Sequence, residues 1–127
     1  MQIVYTQKAP QAVGPYSQAI VSGGFVFASG QLGIDSNGTL SNGISAQTET
    51  ALKNLSQVLI AAGSDISQVV KTTCFLANIA DFALFNQIYG KYFSQKPARS
   101  LIESSALPKG ALVEIEAIAE IQKGEDA

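Results

Sequence analysis

The sequence predicts an α+β domain: a single mixed β-sheet with two helices packed on one face and the element order βββαβαββ. Three observations carry this. Residues 111–121 alternate strictly, placing Val113, Ile115, Ala117, Ala119 and Ile121 on one side of a strand and Leu112, Glu114, Glu116, Ile118 and Glu120 on the other. The stretches 45–63 and 81–92 repeat their apolar residues at helical spacing instead. Apolar runs at 19–21 and 25–29 flank Ser22-Gly23-Gly24, which reads as a β-hairpin with a glycine turn.

In chain order, residues 2–6 form a short edge strand ended by Lys8-Ala9-Pro10. Gly14-Pro15 then aims Tyr16 and Ser17 out of a loop just ahead of the hairpin; Tyr16 reads as packing or as a site residue. In the second hairpin strand Phe25, Phe27 and Ser29 share a face, and the strand ends at Ser29-Gly30-Gln31, where a glycine lets backbone approach a ligand unless Ser29 merely forms a turn. Residues 35–43 form an exposed polar loop. Ser45 is the N-cap of the first helix, whose core face is Ala51, Leu52, Leu55, Val58, Leu59 and Ala62 before Gly63 closes it.

A strand over 69–76 puts Val70, Thr72, Cys74 and Leu76 on one side, with Cys74 a small buried hydrophobe rather than a nucleophile. Asp81 caps the second helix, Phe82, Phe85, Tyr89 and Tyr92 line one stripe, and Asn86 lies toward the other side. Gly90 within that helix costs about 0.5–1 kcal/mol relative to alanine, which points to close packing there. An extended run, 100–105, and the turn Leu107-Pro108-Lys109-Gly110 lead into the last strand. Two helices on one face leave the other bare and partly apolar, so a partner subunit is expected to cover it.

The 127 residues make one domain, 1–127, and 46% apolar against 14% charged content suits a globular chain that buries surface by self-association. A net charge of -2 without a basic cluster argues against nucleic acid as a partner. With no histidine and one cysteine, the usual zinc sites and every triad built on a histidine base are excluded, so no metal is expected. Acid–base work falls to carboxylate, lysine or tyrosine. No phosphate-cradling glycine motif is present. Nothing at the N-terminus reads as a signal peptide and the apolar runs are too short to span a bilayer, so the expected compartment is cytoplasmic, with no membrane partner.

Arg99 is the only arginine; the seven other basic residues are lysines. Its planar fork grips a carboxylate at two points, which a lysine cannot do. Two readings stand: a clamp for an anionic small molecule, or a structural ion pair with Glu103 or Glu116. The glutamates of 111–121 likewise read as a solvated sheet face, or as including one that works in a cleft opposite Arg99. Periodicity groups Glu114, Glu116 and Glu120 and does not choose among them.

Six segments, Gly14-Pro15-Tyr16-Ser17-Gln18-Ala19, Ser29-Gly30-Gln31, Val70-Lys71-Thr72-Thr73, Pro97-Ala98-Arg99-Ser100, Leu107-Pro108-Lys109 and Val113-Glu114-Ile115-Glu116-Ala117-Ile118-Ala119, resemble in one register the RidA/YjgF family of imine deaminases. The resemblance implies a chorismate-mutase-like fold and a homotrimer with clefts between subunits. It also implies cofactor-free hydrolysis of 2-aminoacrylate, 2-iminopropanoate and 2-iminobutanoate to 2-oxo acids and ammonia. Carried over by position, it makes Arg99 the carboxylate-binding arginine, Glu114 the water-handling glutamate, and Tyr16, Ser29 with its neighbour Gly30, and Asn86 cleft residues. Leu101 stands where many members have cysteine; the family's contact there is largely backbone, so leucine bears on which substrates fit.

The implied chemistry is modest. An imine is already electrophilic, so a site need only hold the carboxylate, place a water and move protons. Two other classes remain: a non-catalytic metabolite-binding or regulatory trimer using the same cleft, and an endoribonuclease inhibiting translation, against which the missing basic surface weighs.

Overall fold

The computed structural model describes residues 1–122. In them the chain forms β1 (Gln2–Val4), β2 (Ala19–Ser22), β3 (Phe25–Leu32), α1 (Ile44–Ala61), β4 (Val69–Leu76), α2 (Phe82–Tyr92), β5 (Ala98–Glu103) and β6 (Val113–Glu120), which is the predicted order. All the strands join one sheet, ordered β1-β2-β3-β6-β4-β5. Neighbours pair antiparallel except β4 with β5, which are parallel because α2 carries the chain back across the sheet between them. The last strand thus lies inside the sheet, between β3 and β4.

Alternation then decides the faces. Val113, Ile115, Ala117 and Ala119 of β6 pack with Cys74 and Leu76 of β4 beneath Leu52, Leu55, Val58 and Leu59 of α1 and Phe85 of α2. Among the described residues the opposite face has no helix over it, and it exposes Phe27, 46% accessible, opposite Ile118 on β6. Contact at the start of β6 is close: a Cβ added at Gly33 would lie 2.4 Å from the Gln47 carbonyl oxygen of α1. Beside it the Leu112 amide donates to Gln47 Oε1 at 2.8 Å, and Asn54 Nδ2 donates to the Leu32 and Ile34 carbonyls. Buried amides, each satisfied, fix the height of α1 over the sheet.

Several local expectations differ. Helix α1 starts one residue ahead of Ser45, with Gly43 as N-cap and no side-chain cap bond. Asp81 makes no cap bond either; Asn78 Oδ1 instead accepts the Ala80 amide in a 3₁₀ turn that leads into α2. Ser29-Gly30-Gln31 does not simply end strand β3, which bulges there and runs on to Leu32, and a second irregularity between Val69 and Lys71 turns Val70 outward while Val69 is buried. A methyl group added at Gly90 would meet nothing within 4 Å, so close packing inside the chain does not explain that glycine. Among the described residues no helix is long and apolar enough to cross a membrane.

The two glycines give opposite expectations. Gly33→Ala should lower stability by about 1–3 kcal/mol, because backbone of α1 must move. Gly90→Ala should raise it by about 0.5–1 kcal/mol through helix propensity. Urea unfolding of both variants checks this, and a destabilised Gly90→Ala would show that the open space is filled by another molecule.

Candidate functional site

The site begins with the bulge. Ala28 pairs with Ala117 and Gln31 with Ile115, so Ser29 and Gly30 together face Glu116 on the open side of the sheet. Ser29 does more than turn the chain: its hydroxyl donates to the Ser17 carbonyl at 2.6 Å and its amide donates to the Gln18 carbonyl at 2.9 Å. Gln18, 3% accessible, organises the loop from within, accepting the Thr6 amide and donating to the Thr6 and Pro10 carbonyls. Tyr16, whose amide bonds back to the Gly14 carbonyl, is left 53% accessible beside the bulge. The packing reading of Tyr16 therefore does not hold within the chain.

Glu114 leans over Gly30. A Cβ at position 30 would meet the carboxylate of Glu114, with Cδ only 2.7 Å away, so this close approach requires glycine. Tyr16, Ser29, Gly30, Pro108, Glu114 and Glu116 border a cavity of about 490 Å³ on the open face. Burial, reinforced by the charge of Glu116, raises the Glu114 pKa above the ordinary glutamate value. That is the direction that suits a group meant to hold and release a proton near neutrality.

Arg99 lies elsewhere. It pairs in register with Thr72, a residue of the helix-covered face, and so points under α2 from the edge strand β5. Its Nη1 donates to Asn86 Oδ1 at 2.8 Å, and its guanidinium carbon sits 4.8 Å from the Tyr89 ring centre and 5.8 Å from that of Phe82. Tyr89 is itself fixed by a 2.7 Å bond to the Thr72 hydroxyl. Asn86 thus shares a face with Phe82 and Tyr89, four and three residues away, rather than lying opposite them. Neither expected ion pair forms: among the described residues Arg99 has no carboxylate partner, and Glu103 instead accepts the Ile79 amide. Among the described residues the bond to Asn86 is the one side-chain hydrogen bond Arg99 makes, so most of the guanidinium's five donors have no protein acceptor there.

Leu101, two residues on, is partly buried against the core, so its side chain faces inward. Burial pushes the Cys74 thiol up to about 11, which keeps it protonated and inert. Among the described residues no group of three or more potential ligand side chains could hold a metal ion.

The family model described as Endoribonuclease L-PSP matches residues 6–121. The chain is 49% identical over 121 residues to the Homo sapiens 2-iminobutanoate/2-iminopropanoate deaminase, covering 93% of this chain and 88% of that protein. The chain belongs to the RidA/YjgF family. It is also 50% identical to the chloroplastic Reactive Intermediate Deaminase A of Arabidopsis thaliana, over 93% of this chain and 65% of that protein. In three dimensions it is similar to RidA from the Antarctic bacterium Psychrobacter sp. PAMC 21119, with a TM-score of 0.92, 42% identity, and coverage of 95% and 100% of the two chains.

Of the seven positions singled out in the sequence of this RidA/YjgF chain, Leu101 packs toward the core and the other six fall into two groups. Tyr16, Ser29, Gly30 and Glu114 meet on the open face. Arg99 and Asn86 meet under α2, on the opposite face. Sequence reasoning did not name Phe82 and Tyr89 as the support for Arg99, although their spacing to Asn86 carried the signal, nor Gln18 as the organiser of the Tyr16 loop.

The raised Glu114 pKa has a consequence for stability. The folded chain keeps this proton to higher pH than the unfolded chain, so ionising Glu114 costs stability; the cost is absent below the unfolded value of about 4.3 and complete above the folded one. Glu114→Gln should therefore melt above the parent at about pH 7–8 and converge with it near about pH 4. Calorimetry across that range checks it; a variant that melts lower at neutral pH would show that the carboxylate is stabilised where it lies.

Proposed function

We propose that the protein is a homotrimeric hydrolase that deaminates 2-imino acids, 2-iminopropanoate and 2-iminobutanoate among them, to 2-oxo acids and ammonia. The observation that carries this reading is the Arg99 guanidinium, braced by Asn86 and two aromatic rings yet given no carboxylate by its own chain among the described residues. A clamp so held is built for an external carboxylate. Similarity to deaminases from two kingdoms supplies the reaction.

Arg99 and Glu114 face opposite sides of one sheet, so the site is assembled when the open face of one subunit meets the β5 edge of the next. Arg99, Asn86 and the backbone at Leu101 then come from one subunit, and Tyr16, Ser29, Gly30 and Glu114 from its neighbour. Exposed Phe27 and Ile102 on the uncovered face support such burial. Arg99 holds the substrate carboxylate. Glu114, protonated more readily than an ordinary glutamate, gives its proton to the imine nitrogen and takes one from the water that attacks carbon. The carbinolamine collapses to the 2-oxo acid and ammonia. This sequence asks nothing of a cofactor.

The endoribonuclease in the family's description is not favoured by this chain, whose net charge is -2 and whose cleft carries two glutamates. A cytoplasmic location agrees with a lone, buried thiol that needs no oxidising compartment.

Coupling the protein to a threonine dehydratase should speed the appearance of 2-oxobutanoate. Glu114→Gln should slow this by about 10²- to 10⁴-fold while retaining carboxylate-ligand binding. Arg99→Lys should cost about 10- to 100-fold, since losing a charge-assisted contact costs roughly 1.5–3 kcal/mol. Full activity in both variants would remove the reading.

The shared site has its own test. Unfolding and refolding Arg99→Ala with Glu114→Gln at equal amounts should restore about a quarter of the parental activity, because each mixed trimer regenerates one native site of about three. A mixture as inactive as its components, or sedimentation as a monomer, would leave the two groups of residues unjoined.

A further inference from the structure

A second cavity, of about 560 Å³, shares Tyr16, Gly30, Pro108 and Glu114 with the first and extends between the loops 7–13 and 34–38. Its size is that of a small-molecule compartment. Val13, Ile34 and Pro10 give it apolar wall, and two cationic residues, Lys8 and Lys109, are among those that line it. Among the described residues neither lysine forms an ion pair. Asp35 also borders the cavity, but its Oδ1 is engaged by the amides of Asn37 and Thr39, which tie it to its own loop. Lys109 is held in the left-handed region, at φ 60°, between Pro108 and Gly110. For a residue with a Cβ that backbone costs about 1–2 kcal/mol, which glycine would avoid. The fold therefore keeps a strained lysine in the wall of the cavity that Glu114 also lines.

We propose that this cavity is a side-chain subsite that favours 2-imino acids bearing a distal carboxylate, with Lys8 and Lys109 as its specificity-determining residues. The inference rests on the deaminase reading and deepens it. With the first carboxylate on Arg99 and the C=N carbon beside Glu114, the remainder of the substrate has a continuous space to enter, and its far end meets the lysines. The reaction is unchanged: water adds across C=N, the C–N bond breaks, ammonia leaves and a 2-oxo dicarboxylic acid remains. No further reactant is needed.

The test compares 2-iminoglutarate with 2-iminopentanoate, which have the same chain length, each generated in place by an amino-acid oxidase with semicarbazide as the competing trap. The parent should show the higher kcat/KM for 2-iminoglutarate. The double variant Lys8→Ala/Lys109→Asn, in which asparagine tolerates the left-handed backbone, should lower that value by about five- to ten-fold, the size expected of two partly solvated charge contacts. It should leave 2-iminopentanoate within about two-fold. Equal losses on both substrates, or no loss on either, overturn the subsite while leaving the deaminase intact. Failure of the parent to hydrolyse either imine overturns the deaminase reading and the subsite with it.

Discussion

One strand that is dry on one side and wet on the other governs this molecule. Strand β6 is paired along both edges, so it cannot rotate or slide to suit its side chains. Its period of two puts Val113, Ile115, Ala117 and Ala119 under the helices and leaves Glu114 and Glu116 on the open face. A slip of one residue would drive glutamates into an apolar core, at roughly several kcal/mol for each. The contacts at its start, Gly33 against Gln47 and Gln47 on the Leu112 amide, fix that register before the first glutamate is reached. The cleft is thus a consequence of how the core packs.

That logic also separates what could be read from the sequence from what could not. Alternation, helical spacing, β-prone runs and turn residues are properties of single segments, and together they located every strand and both helices, with β4 at its observed bounds. Bulges are properties of pairs. The extra residue at Ser29–Gly30 and the outward turn of Val70 exist only because β6 offers fewer residues than its neighbours bring, which no single segment reveals. Buried amides were not named either: nothing in their own segments marks Gln18, Gln47 and Asn54, because the carbonyls and amides they satisfy are brought to them by the fold.

In the site itself, composition singled out Arg99, but its proposed carboxylate partners were wrong. On β5, Glu103 is drawn off to the Ile79 amide, while Glu116 faces the opposite side of the sheet from Arg99. Choosing Glu114 over Glu116 and Glu120 rested on register within a family motif. The structure adds an independent distinction: of the three, Glu114 alone is partly buried, and that burial raises its pKa.

The separation of Arg99 from Glu114 has a physical rationale beyond topology. Were the two in contact within one chain, the guanidinium would lower the glutamate's pKa and each would consume the other's hydrogen bonds, leaving neither a clamp nor an acid. Placing them on opposite faces keeps Glu114 under the influence of burial and Glu116, both of which raise its pKa, while Arg99 rests on Asn86 and two rings that leave its charge intact. In the proposed assembly the two would approach only with a substrate carboxylate between them. The anion then neutralises Arg99 before Glu114 feels it, so the proton needed by the departing nitrogen is retained until the imine is in place. A site divided between subunits is, on this argument, a way of keeping an acid and a cation apart until their substrate joins them.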